Sequence, residues 1–546
     1  MSKSSHSSFL KSIRKAFVLS EMSSKPGAPE INTLVDQVNM VRHEYSRRRF
    51  ISDASKAALY LGLASMLPGC REEDFLLLDN RENALGKKKP SQKLSISIIG
   101  GGLAGLNCAY ELSKKGFYAD IFEGSSRLGG RVLTKQNYVA PGTYTECGGE
   151  YIDTGHKTMR ALAGEFGLGL IDTTDSSEAG LQNDTFYIDG VHYTEDQVIA
   201  AFQPYAALIA SHVQSLPTNF DFTNYTAAVE QFDSMSIREY FDFIGMPDSL
   251  FLRKGLEQAY NTEYGREVNE QTAINFLFLF TINPGNANYD IFGLSDERFK
   301  VLGGNQQIVD ALANSLSAQI HFNHKLTKVG KTESGQYTLE FENGTAVTSD
   351  ICVLAIPFTL LRQVDLSALE LPDWKTNAID NLGYGTNAKL LLGFTQRHWR
   401  NYGHSGGVFT NGNGIDYTFI QTGWDGTRMQ PGTNGGYTVF QGGIQGENLN
   451  LSNAQDLLDQ LDAMWPNTAS YYNGITEVMH WPSNPWSLGS YACWRVGQVT
   501  TIMGAEGKNV GNLFFAGEHC SLWFQGYMEG AAETGASVAR EISKIA

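Results

Sequence analysis

The most informative pattern of hydrophobic positions in the chain is a short apolar run, a glycine-rich turn, and then apolar residues at helical spacing. Leu94–Ile99 form the apolar run, which predicts a buried strand. Residues 106–115 repeat apolar side chains every three or four positions up to Gly116, which predicts a helix that ends there. Tyr118–Glu123 predict a second strand. This order of elements predicts the first unit of an α/β sheet.

The turn between this strand and this helix, residues 100–105, reads GGGLAG and fits the pattern GxGxxG. Gly100 permits a tight turn, Gly102 lets the backbone approach a pyrophosphate, and Gly105 allows helix and strand to pack closely. The chain holds 57 glycines among 546 residues, so the pattern by itself arises readily by chance. Its position between a strand and a helix is what predicts a dinucleotide site, for FAD or NAD.

Residues next to the turn supply further contacts that a dinucleotide needs. Leu103 and Ala104 open the helix, whose free backbone N–H groups would meet the pyrophosphate. Glu123 ends the second strand. Its carboxylate can accept hydrogen bonds from a ribose, and its charge disfavours a 2′-phosphate.

The charge balance of the chain excludes one class of partner. The formal net charge is −16 at pH 7, whereas nucleic-acid binding needs an excess of lysine and arginine. We therefore expect no nucleic-acid partner. A negative field attracts cationic small molecules such as amines, although an acidic surface also serves solubility alone.

The N-terminal residues carry the pattern of an export signal. Residues 1–45 are polar and mixed and are predicted to form an unpacked leader. Residues 46–51 (SRRRFI) resemble the twin-arginine consensus, and the apolar run 57–67 is about half of the ~20 residues that a membrane-spanning helix needs. The signal ends at Cys70 in LPGC, which resembles a lipobox.

This signal predicts where the protein acts. We expect the twin-arginine export machinery to carry it to the periplasm, either free or as a lipoprotein that touches the membrane only through Cys70. Residues 71–93 are charged and are predicted to be a linker.

The cysteines give no metal-site pattern. They are far apart and show no CxxC or mixed His/Cys ligand spacing, so no metal site is expected. One or two disulfides are compatible with an exported protein. The six positions are Cys70, Cys108, Cys147, Cys352, Cys493 and Cys520.

Residues 123–131 (EGSSRLGGR) continue the dinucleotide motif and resemble the second fingerprint of the flavin amine oxidases. That family includes monoamine oxidases, polyamine oxidases and L-amino acid oxidases. Arg131 offers a planar fork for a phosphate, and the glycines let the chain pass close to the flavin ring. The resemblance extends over residues 94–546, through segments at 301–307 and 350–357 and beyond. It implies that the dinucleotide is FAD.

The resemblance also assigns cofactor contacts outside the glycine turn. It implies a loop across the flavin, a backbone contact at the adenine side, an acceptor for the ribityl chain, and a helix start that faces the flavin ring. The residues in these positions are Gly124, Gly148, Gly149, Glu150, Tyr151, Leu326, Trp481, Glu518, Gly526, Tyr527, Met528 and Ala531. Ser490 stands where monoamine oxidases have a cysteine joined to the flavin, so FAD is predicted to be non-covalent.

Three residues are predicted to act in catalysis. Lys389 lies in an apolar run of strand character, and the family has a lysine here that contacts flavin N5 through water. The alternative is an edge-strand lysine that faces solvent. Tyr491 and Tyr527 occupy positions where monoamine oxidases set two aromatic rings around the amine. The alternative for them is ordinary core packing.

These residues predict oxidative deamination of a primary amine to a carbonyl compound, ammonia and H2O2, with O2 as the acceptor. Tyr151 stands where many L-amino acid oxidases bind the substrate carboxylate with an arginine, and Glu150 would repel that carboxylate. An L-amino acid oxidase, acting on a basic amino acid in particular, stays open, because Arg495 could bind the carboxylate instead. A dehydrogenase, another flavin oxidoreductase of the same fold, and a flavin-loaded binding protein are the remaining alternatives.

By resemblance the fold is α/β, or α+β overall, in two domains. A discontinuous Rossmann-type FAD-binding domain takes 94–160, 297–360 and 487–546. A substrate domain of mixed sheet and helix takes 161–296 and 361–486.

Overall fold

The computed structural model describes residues 8–23, 94–178, 180–182, 185–280, 296–412 and 419–545. The helices in these residues are α1 (Ser8–Ser23), α2 (Leu103–Lys114), α3 (Lys157–Glu165), α4 (Glu195–Ser215), α5 (Ala227–Asp233), α6 (Ile237–Phe243), α7 (Phe251–Tyr264), α8 (Ala273–Phe278), α9 (Gln306–Ser315), α10 (Phe358–Leu361), α11 (Asp373–Asn381), α12 (Gly443–Asn448), α13 (Ala454–Met464) and α14 (Met528–Ile545). The strands are β1 (Ile96–Ile99), β2 (Ala119–Phe122), β3 (Thr134–Gln136), β4 (Tyr144–Glu146), β5 (Leu170–Asp172), β6 (Phe186–Ile188), β7 (Val191–Tyr193), β8 (Phe299–Val301), β9 (Ile320–His321), β10 (Leu326–Lys331), β11 (Tyr337–Phe341), β12 (Ala346–Ser349), β13 (Ile351–Leu354), β14 (Ala388–Phe394), β15 (Val408–Thr410), β16 (Thr422–Asp425), β17 (Gly435–Gln441), β18 (Tyr472–His480) and β19 (Leu513–Phe515).

Five parallel strands form the sheet that carries the glycine turn, in the order β19-β13-β1-β2-β9. All four residues of β1 and of β13 are buried, which is typical of the interior of a parallel sheet. The predicted strand, helix and strand are confirmed as β1, α2 and β2, although α2 begins at Leu103 and not at Leu106. The α/β class is therefore confirmed.

A second sheet has seven strands in the order β18-β14-β17-β16-β15-β6-β7. Strand β14 lies between β18 and β17 and pairs antiparallel with both, and all seven of its residues are buried. Leu390 and Leu392 on this strand belong to a core cluster with Trp399 and Trp465. Lys389 is therefore inside a buried central strand. The domain boundaries themselves stay predictions.

The N-terminal segment differs from its prediction as an unpacked leader, because residues 8–23 form α1 and pack against α4 and α7. Phe9, Ile13 and Phe17 are buried. The segment mixes Ser and Lys with its apolar residues, so its local pattern is weak. A helix of this length gains most of its stability from packing that the sequence does not reveal.

Phe9 shows how specifically α1 is seated. Its ring stacks on Phe409 at 5.0 Å between centroids and meets Phe186 edge-on at 5.6 Å. The ring also lies over Gly255 in the middle of α7, where an added Cβ would come 2.4 Å from Phe9 Cζ. A glycine inside a helix costs about 1 kcal/mol relative to alanine. Space for Phe9 explains why a glycine stands there.

A double-mutant cycle tests this contact. Phe9→Ala should lower the free energy of unfolding by about 3–5 kcal/mol, the usual loss for a buried phenylalanine. Gly255→Ala should destabilise the wild-type protein, because the new methyl group displaces Phe9. In the Phe9→Ala background it should instead stabilise α7 by up to about 1 kcal/mol. Urea denaturation of the four proteins measures this reversal, and the exposed Phe243→Ala is the control. If Gly255→Ala changes the free energy of unfolding in the same direction in both backgrounds, the contact between Phe9 and Gly255 is disproved.

The structure tests the other predictions for the N-terminal residues and the cysteines only in part. The predicted signal (46–70) and linker (71–93) lie outside the described residues. Five cysteines fall in the described part of the chain, and none of them forms a disulfide there, although disulfides were compatible with an exported protein. No helix among the described residues is long and apolar enough to span a membrane.

Candidate functional site

The glycine turn has the shape that a pyrophosphate requires. A Cβ on Gly105 would come 2.0 Å from the carbonyl oxygen of Gly100, so close packing of the turn demands that glycine. Gly100 has φ +107°, which favours glycine as well. Gly102, the residue before α2, has no neighbouring atom within 4 Å of an added Cβ. This open space at the N-terminus of a helix fits the phosphates of a dinucleotide.

Glu123 lies at the end of β2 and holds the turn in place. One carboxylate oxygen accepts a hydrogen bond from the Gly101 N–H at 2.8 Å, and the other accepts from the Ser125 N–H at 2.7 Å. Gly124 follows and lies under the Trp486 ring, 2.6 Å from the position of a Cβ. Glu123 thus has protein partners, in addition to the ribose contact predicted from the sequence.

Arg131 and Glu518 were predicted to contact different parts of the cofactor, but the structure joins them to each other. Arg131 Nη1 donates to Glu518 Oε1 at 2.8 Å and to the Ser490 carbonyl at 2.6 Å. The other oxygen of Glu518 accepts from the Gly526 N–H at 2.7 Å. Glu518 therefore connects the fingerprint loop to the segment that precedes α14.

Helix α14 is placed by close contact with α2. A Cβ on Gly535 would lie 2.2 Å from the Ala104 carbonyl oxygen, so the two helices touch through their backbones. This contact brings the start of α14 to the loop at 148–151, where a Cβ on Gly149 would lie 2.7 Å from Met528 Cγ. Ala531 N–H donates to the Tyr527 carbonyl within the first turn.

Lys389 is anchored to the loop that the sequence predicts to cross the flavin. Its ammonium group donates to the carbonyls of Glu146 and Gly148, each at 3.0 Å, and to Glu150 Oε2 at 2.9 Å. The side chain is 5% exposed, so the alternative of a solvent-facing lysine is wrong. An ammonium has three N–H groups, and all three have protein acceptors here. A water that bridged Lys389 to flavin N5, as the resemblance implies, would have to replace one of these three acceptors.

Lys300 is a second buried lysine that the sequence analysis missed. It lies in β8, fully buried, and donates to the Gly426 carbonyl at 2.9 Å. Its ammonium is 3.3 Å from Glu150 Oε1, which also accepts from Trp424 Nε1 at 3.0 Å. The sequence feature that could have indicated Lys300 is a lysine between two apolar residues of a strand, as at Lys389.

The two lysines change what Glu150 can do. Burial raises the pKa of Glu150, but the charges of Lys389 and Lys300 outweigh it and hold this pKa below its ordinary value. Glu150 is therefore ionised and already paired. The prediction that it would repel a substrate carboxylate is wrong, because its charge is balanced by two ammonium groups.

Tyr491 and the segment around Tyr527 lie side by side. The Tyr491 hydroxyl donates to the Glu263 carbonyl at 2.7 Å, and a Cβ on Gly526 would lie 3.4 Å from Tyr491 Cδ2. Burial raises the pKa of Tyr491 well above its ordinary value, so the phenol stays neutral. Tyr527 is 9% exposed and meets the His156 ring at 5.3 Å.

The structure also places the remaining predicted site residues. Ser490 is buried, with its hydroxyl donating to Asn387 Oδ1 at 2.7 Å. Trp481 Nε1 donates to the Cys147 carbonyl at 3.1 Å, beside the loop that Lys389 anchors. Tyr151 faces the Trp424 ring at 6.3 Å, and Leu326 is buried at the start of β10.

Glu146 gives this site a dependence on pH. Burial raises the pKa of Glu146 to about 7, although hydrogen bonds from Asn305 and Thr134 favour the charged form. The unfolded chain releases this proton near pH 4.5. Between pH 4.5 and 7 the folded state therefore holds more protons, and the free energy of unfolding falls as the pH rises.

Glu146→Gln removes this titration and supplies the test. The variant should gain stability relative to the wild type by about 2–3 kcal/mol between pH 5 and pH 8. Thermal denaturation of both proteins across this range measures the difference. Glu333→Gln, at an exposed position, is the control for the substitution itself. If the stability difference between Glu146→Gln and the wild type stays constant from pH 5 to pH 8, Glu146 does not titrate in this range.

The open glycine at the start of α2 and the buried lysine that holds the loop at 146–150 fit a dinucleotide-dependent oxidoreductase. The chain belongs to the flavin-containing amine oxidoreductase family, whose profile matches residues 103–543.

Comparisons with individual proteins agree with this family. The chain is similar to polyamine oxidase 4 of Oryza sativa subsp. japonica, at 24% identity over 82% of this chain and 88% of that protein. It is similar to the L-amino-acid oxidase of Daboia russelii, at 23% identity over 87% and 94%. Among solved structures, cyclohexylamine oxidase from Brevibacterium oxydans IH-35A has a TM-score of 0.72 at 20% identity, over 83% of this chain and 99% of that one. Putrescine oxidase bound to putrescine has a TM-score of 0.69 at 19% identity over the same shares.

Proposed function

We propose that the protein oxidises a primary amine to a carbonyl compound and ammonia, with O2 as the acceptor and H2O2 as the second product. The observation that carries this proposal is the neutral Tyr491 phenol, fixed by Glu263 beside the segment that bears Tyr527. Two phenols at this point can hold an uncharged amine, which is the oxidisable form. Polyamine, putrescine and cyclohexylamine oxidases are among its relatives.

The chain's own groups have separate tasks in this reaction. The glycine turn and Arg131 would hold FAD, which would supply a hydride acceptor and a route for electrons to O2. Lys389 holds the loop at 146–150 and keeps a positive charge beside it. Glu518 orients the start of α14, whose dipole favours negative charge in front of it. Ser490 offers no thiol for a covalent bond, so denaturation should release FAD intact.

Oxidation of an L-amino acid is the second candidate, and one observation favours it. Two ammonium groups, on Lys300 and Lys389, surround the single carboxylate of Glu150. They neutralise Glu150, so this residue would not exclude a substrate carboxylate, although Tyr151 replaces the usual arginine. The L-amino-acid oxidase of Daboia russelii is also a relative.

Substrate pairs that differ only by a carboxylate separate the two candidates. H2O2 release and anaerobic bleaching of the flavin would be measured for putrescine against ornithine, cadaverine against lysine, and phenethylamine against phenylalanine. We expect kcat/KM for the amine to exceed that for the amino acid at least tenfold in the best pair. The reverse preference would establish the amino acid oxidase. No bleaching with any member would indicate another flavin oxidoreductase or a flavin-loaded binding protein.

We also propose export by the twin-arginine route, with anchoring through a lipid on Cys70. The order of SRRRFI at 46–51, the apolar run 57–67 and Cys70 supports this proposal. Cell fractionation and labelling with a lipid precursor test it, with Arg47→Lys/Arg48→Lys and Cys70→Ser as variants. The arginine variant should stay in the cytoplasm, and Cys70→Ser should lose the lipid. Export of the arginine variant at the wild-type level would contradict the route.

A further inference from the structure

Three arginines line one cavity away from the flavin loop. The cavity has a volume of about 230 Å³ and is bordered by α10, α11 and the residues that follow α7. Its charged side chains are those of Arg266, Arg362, Arg495 and Asp380, so cations outnumber anions three to one. Most of its other lining is glycine or polar.

Backbone carbonyls hold two of these guanidinium groups in position. Arg266 Nε donates to the Tyr384 carbonyl at 2.8 Å. Arg362 donates to the Ile379 carbonyl at 2.7 Å and to the Leu382 carbonyl at 2.6 Å. These bonds fix the planes of the two groups and leave other N–H groups for a ligand. The positions are therefore set before any ligand arrives, which lowers the entropic cost of binding.

The third arginine is held by packing. Arg495 is exposed, and its stem lies over Gly383, where an added Cβ would come 2.8 Å from Arg495 Cγ. The glycine thus makes room for this stem. Arg495 was an alternative partner for a substrate carboxylate in the sequence analysis, and in the structure it lines this cavity.

The acidic side chains of the described residues balance the three arginines only in part, because Glu270 and Asp380 face Arg266, Arg362 and Arg495. Arg266 pairs with Glu270 at 3.0 Å. Among the described residues, Asp380 forms no ion pair within 4 Å. Partial burial and the nearby charge of Arg266 lower the pKa of Arg362, and Tyr384 and Asp380 offset this only in part. Like charges held together in this way attract an anion.

We propose that this arginine cavity binds a compact dianion, such as inorganic phosphate or a short dicarboxylate. Guanidinium groups match two oxygens of such an anion at once, with charge-assisted hydrogen bonds. The volume of the cavity suits a small anion better than a nucleotide. The proposal does not depend on which amine or amino acid the enzyme oxidises.

The cavity wall is connected to the active site through the backbone. Gly385 N–H donates to the Tyr491 carbonyl at 2.8 Å, and Ser490 N–H donates to the Gly385 carbonyl at 2.9 Å. Gly385 and Gly489 both line the cavity. A bound dianion therefore fixes the segments that position Ser490 and Tyr491, and it should lower KM for the substrate while kcat changes little.

Titration of the FAD-loaded enzyme with phosphate or succinate tests the proposal, at constant ionic strength maintained with chloride. We expect a saturable rise in Tm with either anion and a fall in KM over the same range. Arg362→Gln/Arg495→Gln should weaken anion binding at least tenfold without loss of FAD, and the exposed Arg540→Gln should bind as the wild type does. A response to phosphate alone would narrow the ligand to phosphate, and a response to succinate alone to a dicarboxylate. The proposal fails if neither anion gives a saturable response, or if the double variant responds as the wild type does.

Discussion

Lys389→Met should lower turnover or the reoxidation of reduced flavin at least about 100-fold, the usual range for loss of a group that handles protons or charge at the reacting centre. Methionine keeps most of the length and apolar stem of lysine but has no ammonium. It therefore removes the hydrogen bonds to Glu146, Gly148 and Glu150 that hold the flavin loop. FAD should stay bound, because Lys389 takes no part in the glycine turn or in the side-chain bonds of Arg131. Stopped-flow measurement of flavin reduction and reoxidation would show which step slows.

Lys300→Met is the matched control for this experiment. It also deletes a buried ammonium that pairs with Glu150, but it leaves Lys389 and its bonds to the loop in place. We expect a loss in stability and a smaller kinetic effect than for Lys389→Met. Equal losses in both variants would assign the effect to the charge around Glu150. Unchanged kinetics for Lys389→Met would remove this residue from the mechanism.

Gly102→Ala should reduce the affinity for FAD at least tenfold and leave the fold intact. A methyl group at Gly102 meets no protein atom within 4 Å, so it occupies only the space at the start of α2 where the phosphates are predicted to lie. Gly105→Ala should do more harm, because its Cβ would come 2.0 Å from the Gly100 carbonyl. That variant should fail to fold the turn and be purified without colour, if it is soluble at all.

Gly164→Ala is the control for the cofactor test. It too adds a methyl group that meets nothing within 4 Å, but in α3 and away from the glycine turn. We expect it to bind FAD normally and to gain up to about 1 kcal/mol in stability from helix propensity. Flavin absorbance and titration of apoprotein with FAD compare the variants. Normal FAD affinity in Gly102→Ala would place the pyrophosphate elsewhere.

The two lysines of the site illustrate the limit of sequence reasoning. Lys389 was found because a lysine in a seven-residue buried strand is unusual and because the family has one at that position. Lys300 sits in a strand of three residues, Phe299–Val301, where the pattern is too short to indicate burial. Its role also depends on Glu150, 150 positions away along the chain.

Glu150 shows how a residue chosen from its local motif can lead to a wrong electrostatic conclusion. Its place in the flavin loop was predicted from neighbouring residues. Its effect on a substrate depends on charges brought from β8 and β14, which the local sequence does not contain. The neighbours of Arg495 in its cavity, Arg266 and Arg362, likewise come from distant parts of the chain.

The sequence by itself determined the α/β class, the FAD-binding turn and the family, because these depend on residues that are close along the chain and on glycines whose backbone no other residue can replace. The tertiary structure alone decided which distant groups meet: Lys389 with Lys300 through Glu150, Arg131 with Glu518, and α1 with Gly255 in α7. The physical reason is that ion pairs and packing act over a few ångströms in space, between residues whose separation in sequence carries no periodic pattern.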